Sequence, residues 1–217
     1  PNRSVPRLPE RDPKGHKGTF GTVAVIGGSC DGATRMIGAP VLAARAALRA
    51  GAGLVRLVMP EPILNAGLCM LPSATGVALP TDAAGRVTPH EGAELFDSLL
   101  PSCRAIVIGP GLGTGPAAHS LSLRAIQQEV VPVVVDADSL NAMSEVAELH
   151  RDFRASAVLT PHTGEFARLA RALRITTDPT LSSARPTAAE QLARRLGCIV
   201  VLKGAGKKLA DIKGQSI

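Results

Sequence analysis

The sequence of 217 residues contains no tryptophan and no tyrosine, and only four phenylalanines. Aromatic platforms on which single-stranded nucleic acid stacks are therefore nearly absent. The four cysteines, Cys30, Cys69, Cys103 and Cys198, include no Cys-x-x-Cys pair, so neither a structural zinc site nor a disulfide framework is indicated. They read as small buried or half-buried residues of a cytoplasmic protein. No apolar run approaches the roughly 20 residues that a membrane helix needs, and Pro1 to His16 is polar and proline-rich, unlike a signal peptide. A protein without membrane or nucleic-acid partners is expected.

What is present is a basic balance, +6 in formal charge, and 45% hydrophobic residues. Lys14 and Lys17 precede the first strand, whereas Lys203, Lys207, Lys208 and Lys213 crowd the last stretch. Such a balance suits an anion of nucleotide size, or is simply an arginine-rich solvated surface. The length suits one domain, residues 1–217.

The stretch from Lys17 to Pro60 organises the rest. Thr22 to Ile26 is a short β-branched run that reads as a buried strand, and Gly27, Gly28, Gly32 and Gly38 punctuate a loop after it. From Gly38 to Ala50, residues Ala39, Leu42, Ala43, Ala46, Ala47 and Ala50 recur at helical spacing, Gly51 can cap the helix, and Leu54 to Met59 is a second strand. Helices are expected over Pro62 to Leu71, His90 to Leu100, Pro116 to about Gln128, around Ser139 to Phe153, from Phe166 to Leu173, and from a Thr187/Glu190 capping box onward. Strands are expected over Gly76 to Pro80, Arg104 to Ile108, Pro132 to Val135, Ala157 to Thr160 and Cys198 to Leu202. Strands alternating with helices predict an α/β fold with a mostly parallel sheet and helices on both faces.

Polar and glycine motifs follow strand after strand: Gly27-Gly28, Gly109 to Gly113, Asp136 to Asn141, His162 to Glu165, and Lys203 to Gly206. The carboxyl ends of parallel strands share one edge, so these motifs converge on one site. Gly27 to Gly32 lacks the lysine of a P-loop, and Gly111-Leu112-Gly113-Thr114-Gly115 lacks the dinucleotide-binding spacing. His162 either meets a substrate oxygen or caps the next helix, and its place between a strand end and Gly164 favours the substrate. Asp136 either supports Mg²⁺ through water or caps a helix, Asp138 reads as a cap, and Asn141 as a buried hydrogen-bonding residue that shapes its loop. Lys203 to Gly206 offers N–H groups and a cation to a nucleotide phosphate, or is a plain turn.

His16-Lys17-Gly18 with Phe20-Gly21, Val25 to Gly28, Gly38-Ala39, Gly109 to Gly113, Asp136 to Asp138 with Leu140-Asn141, Leu159 to Glu165, and Leu202 to Gly206 stand in the order found in one family. Together they resemble the ADP/ATP-dependent NAD(P)H-hydrate dehydratases, carbohydrate-kinase-like members of the ribokinase-like fold. The resemblance implies repair of hydrated NADH or NADPH, with ADP or ATP as co-substrate and Mg²⁺. It implies Ala39, Gly111, Gly113 and His162 at the hydrated cofactor, and Lys203, Gly204, Ala205, Gly206 and Lys207 at the nucleotide, with Asp136 and Asn141 in support. It also implies a homo-oligomer and a link to an NAD(P)H-hydrate epimerase. The family's glycine-rich segment with its aspartate base has no counterpart before Ile217, and the tail from about Lys207 is atypical, so the C-terminal part of the fold is expected to be missing and no catalytic residue is assigned. The competing readings are a small-molecule kinase of the same fold and a non-catalytic nucleotide binder.

Overall fold

The structure, a computed structural model, describes residues 10–204 and the backbone of residues 208–210. In chain order the strands are β1 (Thr22–Ile26), β2 (Ser29–Asp31), β3 (Thr34–Met36), β4 (Leu54–Pro60), β5 (Thr75–Leu79), β6 (Ala105–Ile108), β7 (Val133–Val135), β8 (Ala157–Leu159), β9 (Ile199–Leu202) and β10 (Lys208–Ala210). The α-helices are α1 (Gly38–Ala50), α2 (Glu61–Met70), α3 (Pro89–Leu99), α4 (Pro116–Gln127), α5 (Asp138–Ser144), α6 (Leu149–Asp152), α7 (Thr163–Leu173) and α8 (Arg185–Leu196).

Eight strands form one sheet in the order β10-β9-β8-β7-β6-β1-β4-β5. Its neighbours run parallel except β10, which pairs antiparallel with β9. From β1 the chain builds outward through β4 and β5, then returns to the other side of β1 at β6. The strand order therefore reverses between β1 and β6, which is where an open parallel sheet leaves a crevice at its carboxyl edge.

The β-branched runs form strands because both faces of the sheet bury them. On one face Ile26, Ile106, Ile108, Val135 and Leu159 pack with Phe96, Leu121, Phe166 and Leu192 of the covering helices. On the other, Val25, Leu57 and Met59 pack under Val41 and Ala44 of α1 and Ile63 of α2. That second face is less covered beyond β6, where Val107, Val134, Val158 and Val201 are half-buried.

Four local expectations are corrected. The glycine loop after β1 holds a hairpin, β2 with β3, paired Ser29 to Met36 and Asp31 to Thr34; Ser-Cys-Asp and Thr-Arg-Met carry no apolar run of the kind that marks β7 and β8. The helical stretch near 139–153 is two helices, because Glu148 takes a left-handed conformation (φ 53°) that a continuous helix does not allow. Helix α8 starts earlier than the Thr187/Glu190 box requires: Ala184 is its N-cap, with Pro186 in the first turn. A proline there gives up no hydrogen bond and has the right φ already, so it sets the start ahead of the threonine. Finally, Asp138 does not cap α5, whose N-cap Ala137 has no side-chain partner.

Candidate functional site

The crevice beside β1 is built by direct contact between glycine loops. Gly28 N–H donates to Pro110 O at 2.9 Å, joining the loop after β1 to the loop after β6. Gly109 has φ 113°, and a Cβ there would run into the carbonyl oxygen of Asp136, so the ends of β6 and β7 approach as only glycine permits. Gly111 faces Met36 of β3, and Gly113 lies beside Ser29 of β2. Asp138 Oδ2 accepts the Gly113 N–H at 2.8 Å across 25 residues of chain. The expected cap is thus a clamp on the second glycine loop, and the Gly113 N–H is already committed. Ala39 is exposed in the first turn of α1, whose N-cap Ile37 makes no side-chain cap, so the Gly38 and Ala39 amides keep their donor capacity, Pro40 after them having none.

At the ends of β7, β8 and β9 the polar residues form a second group. Lys203 Nζ lies 2.6 Å from Asp136 Oδ1 and 3.8 Å from Glu165 Oε2. Glu165, only 4% exposed, also accepts the His162 N–H on Oε2 at 2.7 Å. His162 is the N-cap of α7: its Nδ1 accepts the N–H groups of Gly164 at 3.0 Å and Glu165 at 3.3 Å, completing a capping box. A ring that accepts on Nδ1 carries its proton on Nε2, which stands 3.4 Å from Glu165 Oε1. Asn141 is half-buried and its Oδ1 accepts from Arg168 Nε at 2.9 Å, so it joins α5 to α7. Gly204 follows Lys203 with φ 155°. Ala205, Gly206 and Lys207 lie outside the described residues.

Two concavities adjoin these groups. One of about 360 Å³ lies between the β2–β3 hairpin, Arg86, and the Gly113 to Ala118 start of α4. Its loop is fixed by Asp82, whose carboxyl the main-chain N–H and guanidinium of Arg86 hold below the ordinary carboxylate range. The other, about 500 Å³ and largely apolar, runs between Ala43, Ala47, Val107 and Val134, with Asp136 and Lys203 at its polar end. The sequence reading missed the hairpin and Arg86 as walls of the crevice. The only signal was the Asp82 to Gly85 turn composition, which by itself says nothing about position.

A mostly parallel open sheet with glycine loops meeting at its switch point is a doubly wound α/β arrangement, whose crevice lies at the carboxyl edge of the strands. More particularly, the family described as NAD(P)H-hydrate dehydratase matches residues 23–217, and the chain belongs to that family. The chain is 36% identical over 213 residues to a bifunctional NAD(P)H-hydrate repair enzyme of Salinibacter ruber, covering 96% of this chain and 37% of that protein. It is 34% identical over 203 residues to an ADP-dependent (S)-NAD(P)H-hydrate dehydratase of Xanthomonas campestris, covering 93% of this chain and 65% of the relative. A crystal structure of the ADP/ATP-dependent NAD(P)H-hydrate dehydratase of Bacillus subtilis, co-crystallised with ATP and Mg²⁺, superposes with a TM-score of 0.73 at 29% identity, covering 96% of this chain and 67% of that one. A ribokinase-like superfamily protein of Enterococcus faecalis, at 23% identity and TM-score 0.70, shares the fold. The chain spans 37% to 39% of the length of the first three bifunctional relatives.

Proposed function

We propose that this chain carries the strand-edge site of a dehydratase that repairs hydrated NADH or NADPH at the expense of ADP or ATP. The observation that carries the reading is the meeting of the two glycine loops at the switch point, Gly28 to Pro110, beside the uncapped start of α1. Free helix N-terminal amides and glycine backbone suit the pyrophosphate of a dinucleotide. Ala39, Gly111, Gly113 and His162 form the wall for the hydrated cofactor. Because the Gly113 N–H is held by Asp138, Gly113 serves by its shape and backbone approach, not as a donor. Lys203 and Gly204, continuing to Ala205, Gly206 and Lys207, form the nucleotide side, with Asp136 and Asn141 in support.

In this chemistry the ring hydroxyl takes a phosphoryl group from the nucleotide, which leaves as AMP or ADP. Departure of phosphate with the carbon–oxygen bond pair, and loss of a proton, restores the dihydronicotinamide. The demand on the protein is positioning and charge stabilisation. Among the described residues no three His, Cys, Asp or Glu side chains gather closely enough to hold a metal. Mg²⁺ enters this reading with the nucleotide phosphates, the usual way that ion is held beside one or two carboxylates and water.

We place the protein in the cytoplasm, since its four cysteines are free thiols and no described helix is long and apolar enough to cross a membrane. Residues 1–217 are read as one domain acting as a homo-oligomer, and the bifunctional repair relatives support a working link to an epimerase. The test mixes the protein with hydrated NADH or NADPH, Mg²⁺ and ADP or ATP. Return of dihydronicotinamide absorbance is the expected result. Phosphorylation of an alcohol without that return identifies a kinase, and nucleotide binding without either reaction identifies a binder.

A further inference from the structure

Along the carboxyl edge of the sheet, the order of strands sets the order of the site. Lys203 follows β9, His162 follows β8, Asp136 follows β7, the second glycine loop follows β6, and the β2–β3 hairpin follows β1. On the dehydratase reading the hydroxylated ring meets the nucleotide, so it belongs at the His162 and Lys203 end. A dinucleotide is two nucleosides joined by a pyrophosphate. With the pyrophosphate at the Gly38 and Ala39 amides, its other nucleoside points toward the hairpin.

There the structure holds the concavity of about 360 Å³, which shares Gly113 with the cofactor wall. Its floor is apolar, Leu112, Ala117 and Ala118 being buried, and its rim is polar, with Asp31, Thr34 and Thr114 exposed. An apolar floor under a few hydroxyl and carboxylate groups suits a purine and its ribose. The walls are preformed: Met36 lies over Gly111, Ser29 lies beside Gly113, and a Cβ on Gly85 would stand 3.0 Å from Cys30 Sγ of β2. The charges on the rim differ in what they have to spare. Asp82 Oδ2 holds the Arg86 guanidinium through Nε at 2.9 Å and Nη2 at 2.8 Å. The Asp31 charge acts on the same guanidinium, but among the described residues the exposed Asp31 carboxylate accepts no hydrogen bond. Such a carboxylate accepts from ribose hydroxyls and repels a 2′-phosphate, and the arginine that could receive that phosphate is already paired with an acid.

We infer that this concavity holds the adenosine half of the hydrated dinucleotide, with Asp31 accepting from its ribose hydroxyls, and that the site thereby prefers hydrated NADH to hydrated NADPH. The direction of the bound dinucleotide rests on the dehydratase reading, whereas the preference shows in binding without turnover.

The experiment titrates the parent, Asp31→Asn and Thr114→Trp with NADH and with NADPH, read by dihydronicotinamide fluorescence, and with ADP by calorimetry. The parent is expected to bind NADH at least about tenfold more tightly than NADPH. Asp31→Asn should reduce that ratio to less than about threefold. Thr114→Trp, which fills the concavity from its rim, should weaken NADH about tenfold and move the ADP dissociation constant by less than about threefold. Where Thr114→Trp does not fold, Thr34→Trp on the opposite rim decides by the same reading. A parent that binds the two dinucleotides equally, or binds neither, overturns the inference. So does a ratio that Asp31→Asn leaves unchanged, or NADH binding indifferent to the tryptophan. A parent that shows the expected pattern but repairs no hydrated NADH counts against the dehydratase reading and leaves the inference standing. Repair of both hydrates with equal kcat/KM upholds that reading and overturns the inference.

Discussion

Asp138 opens α5, where a carboxylate ordinarily reads as a cap, but its oxygen reaches 25 residues back to hold the Gly113 N–H. Replacing it with alanine is expected to cost about 1 kcal/mol, as the loss of a partly exposed charge-assisted hydrogen bond does. At this chain length that lowers Tm by about 2–4 °C, which a thermal melt reads directly. The glycines of the same loop separate by what surrounds them. Gly109→Ala places a Cβ against the Asp136 carbonyl at a left-handed φ and should prevent soluble expression, whereas Gly115→Ala meets nothing within 4 Å and should melt with the parent. Cys198 makes a pH prediction. Burial pushes its thiol up from 9.0 to about 12, so the folded protein keeps the proton where the unfolded chain has lost it. The unfolded state then binds fewer protons, and the stability this thiol contributes is full below pH 9 and lost progressively between pH 9 and about 12. Denaturant melts should show that alkaline decline, and Cys198→Ala should flatten it. In native protein a thiol reagent should label exposed Cys69 and spare Cys198.

At the scale of elements, the helix starts divide the legible from the illegible. Helix α4 begins at Pro116 as a proline in a first turn foretells, and Gly51 caps α1 at φ 106°. The long strands were legible too, because an apolar β-branched run buried on both sides has no alternative use. Helix α8 was misread because two local signals competed: Thr187 with Glu190 spells a capping box, but Pro186 two residues after the true cap sets the start. The correction is testable. A capping threonine costs about 1 kcal/mol when changed to alanine, whereas Thr187→Ala in the interior of the first turn should change stability by no more than about 0.5 kcal/mol in urea melts. His162→Ala, which removes the real cap of α7, should cost about 1 kcal/mol in the same measurement. The hairpin β2–β3 lay beyond sequence reading because six residues in two short strands are fixed by what they pack on, Met36 over Gly111 and Ser29 beside Gly113.

For the whole molecule, the placing of the motifs along one edge was legible from alternation alone, since parallel strands put all their carboxyl ends there. Which motifs touch was not. The reversal of strand order between β1 and β6 brings Gly28 to Pro110. Asp136 meets Lys203 although 67 residues and the intervening strand β8 separate them, so no spacing rule could pair them. The motif reading accordingly treated Lys203 as free for a ligand, whereas the structure engages it with two carboxylates. The family assignment rests on residues 23–217, while the chain covers 65% of the Xanthomonas campestris relative and less of the bifunctional ones. Activity is therefore the claim that most needs direct measurement. Hydrated NADH, Mg²⁺ and ADP are incubated with the protein, and recovered dihydronicotinamide and released inorganic phosphate are quantified in the same tube. The account predicts that the two rise together in equal amounts and that AMP appears alongside them. Phosphate released without cofactor recovery, or no change in either, would contradict it.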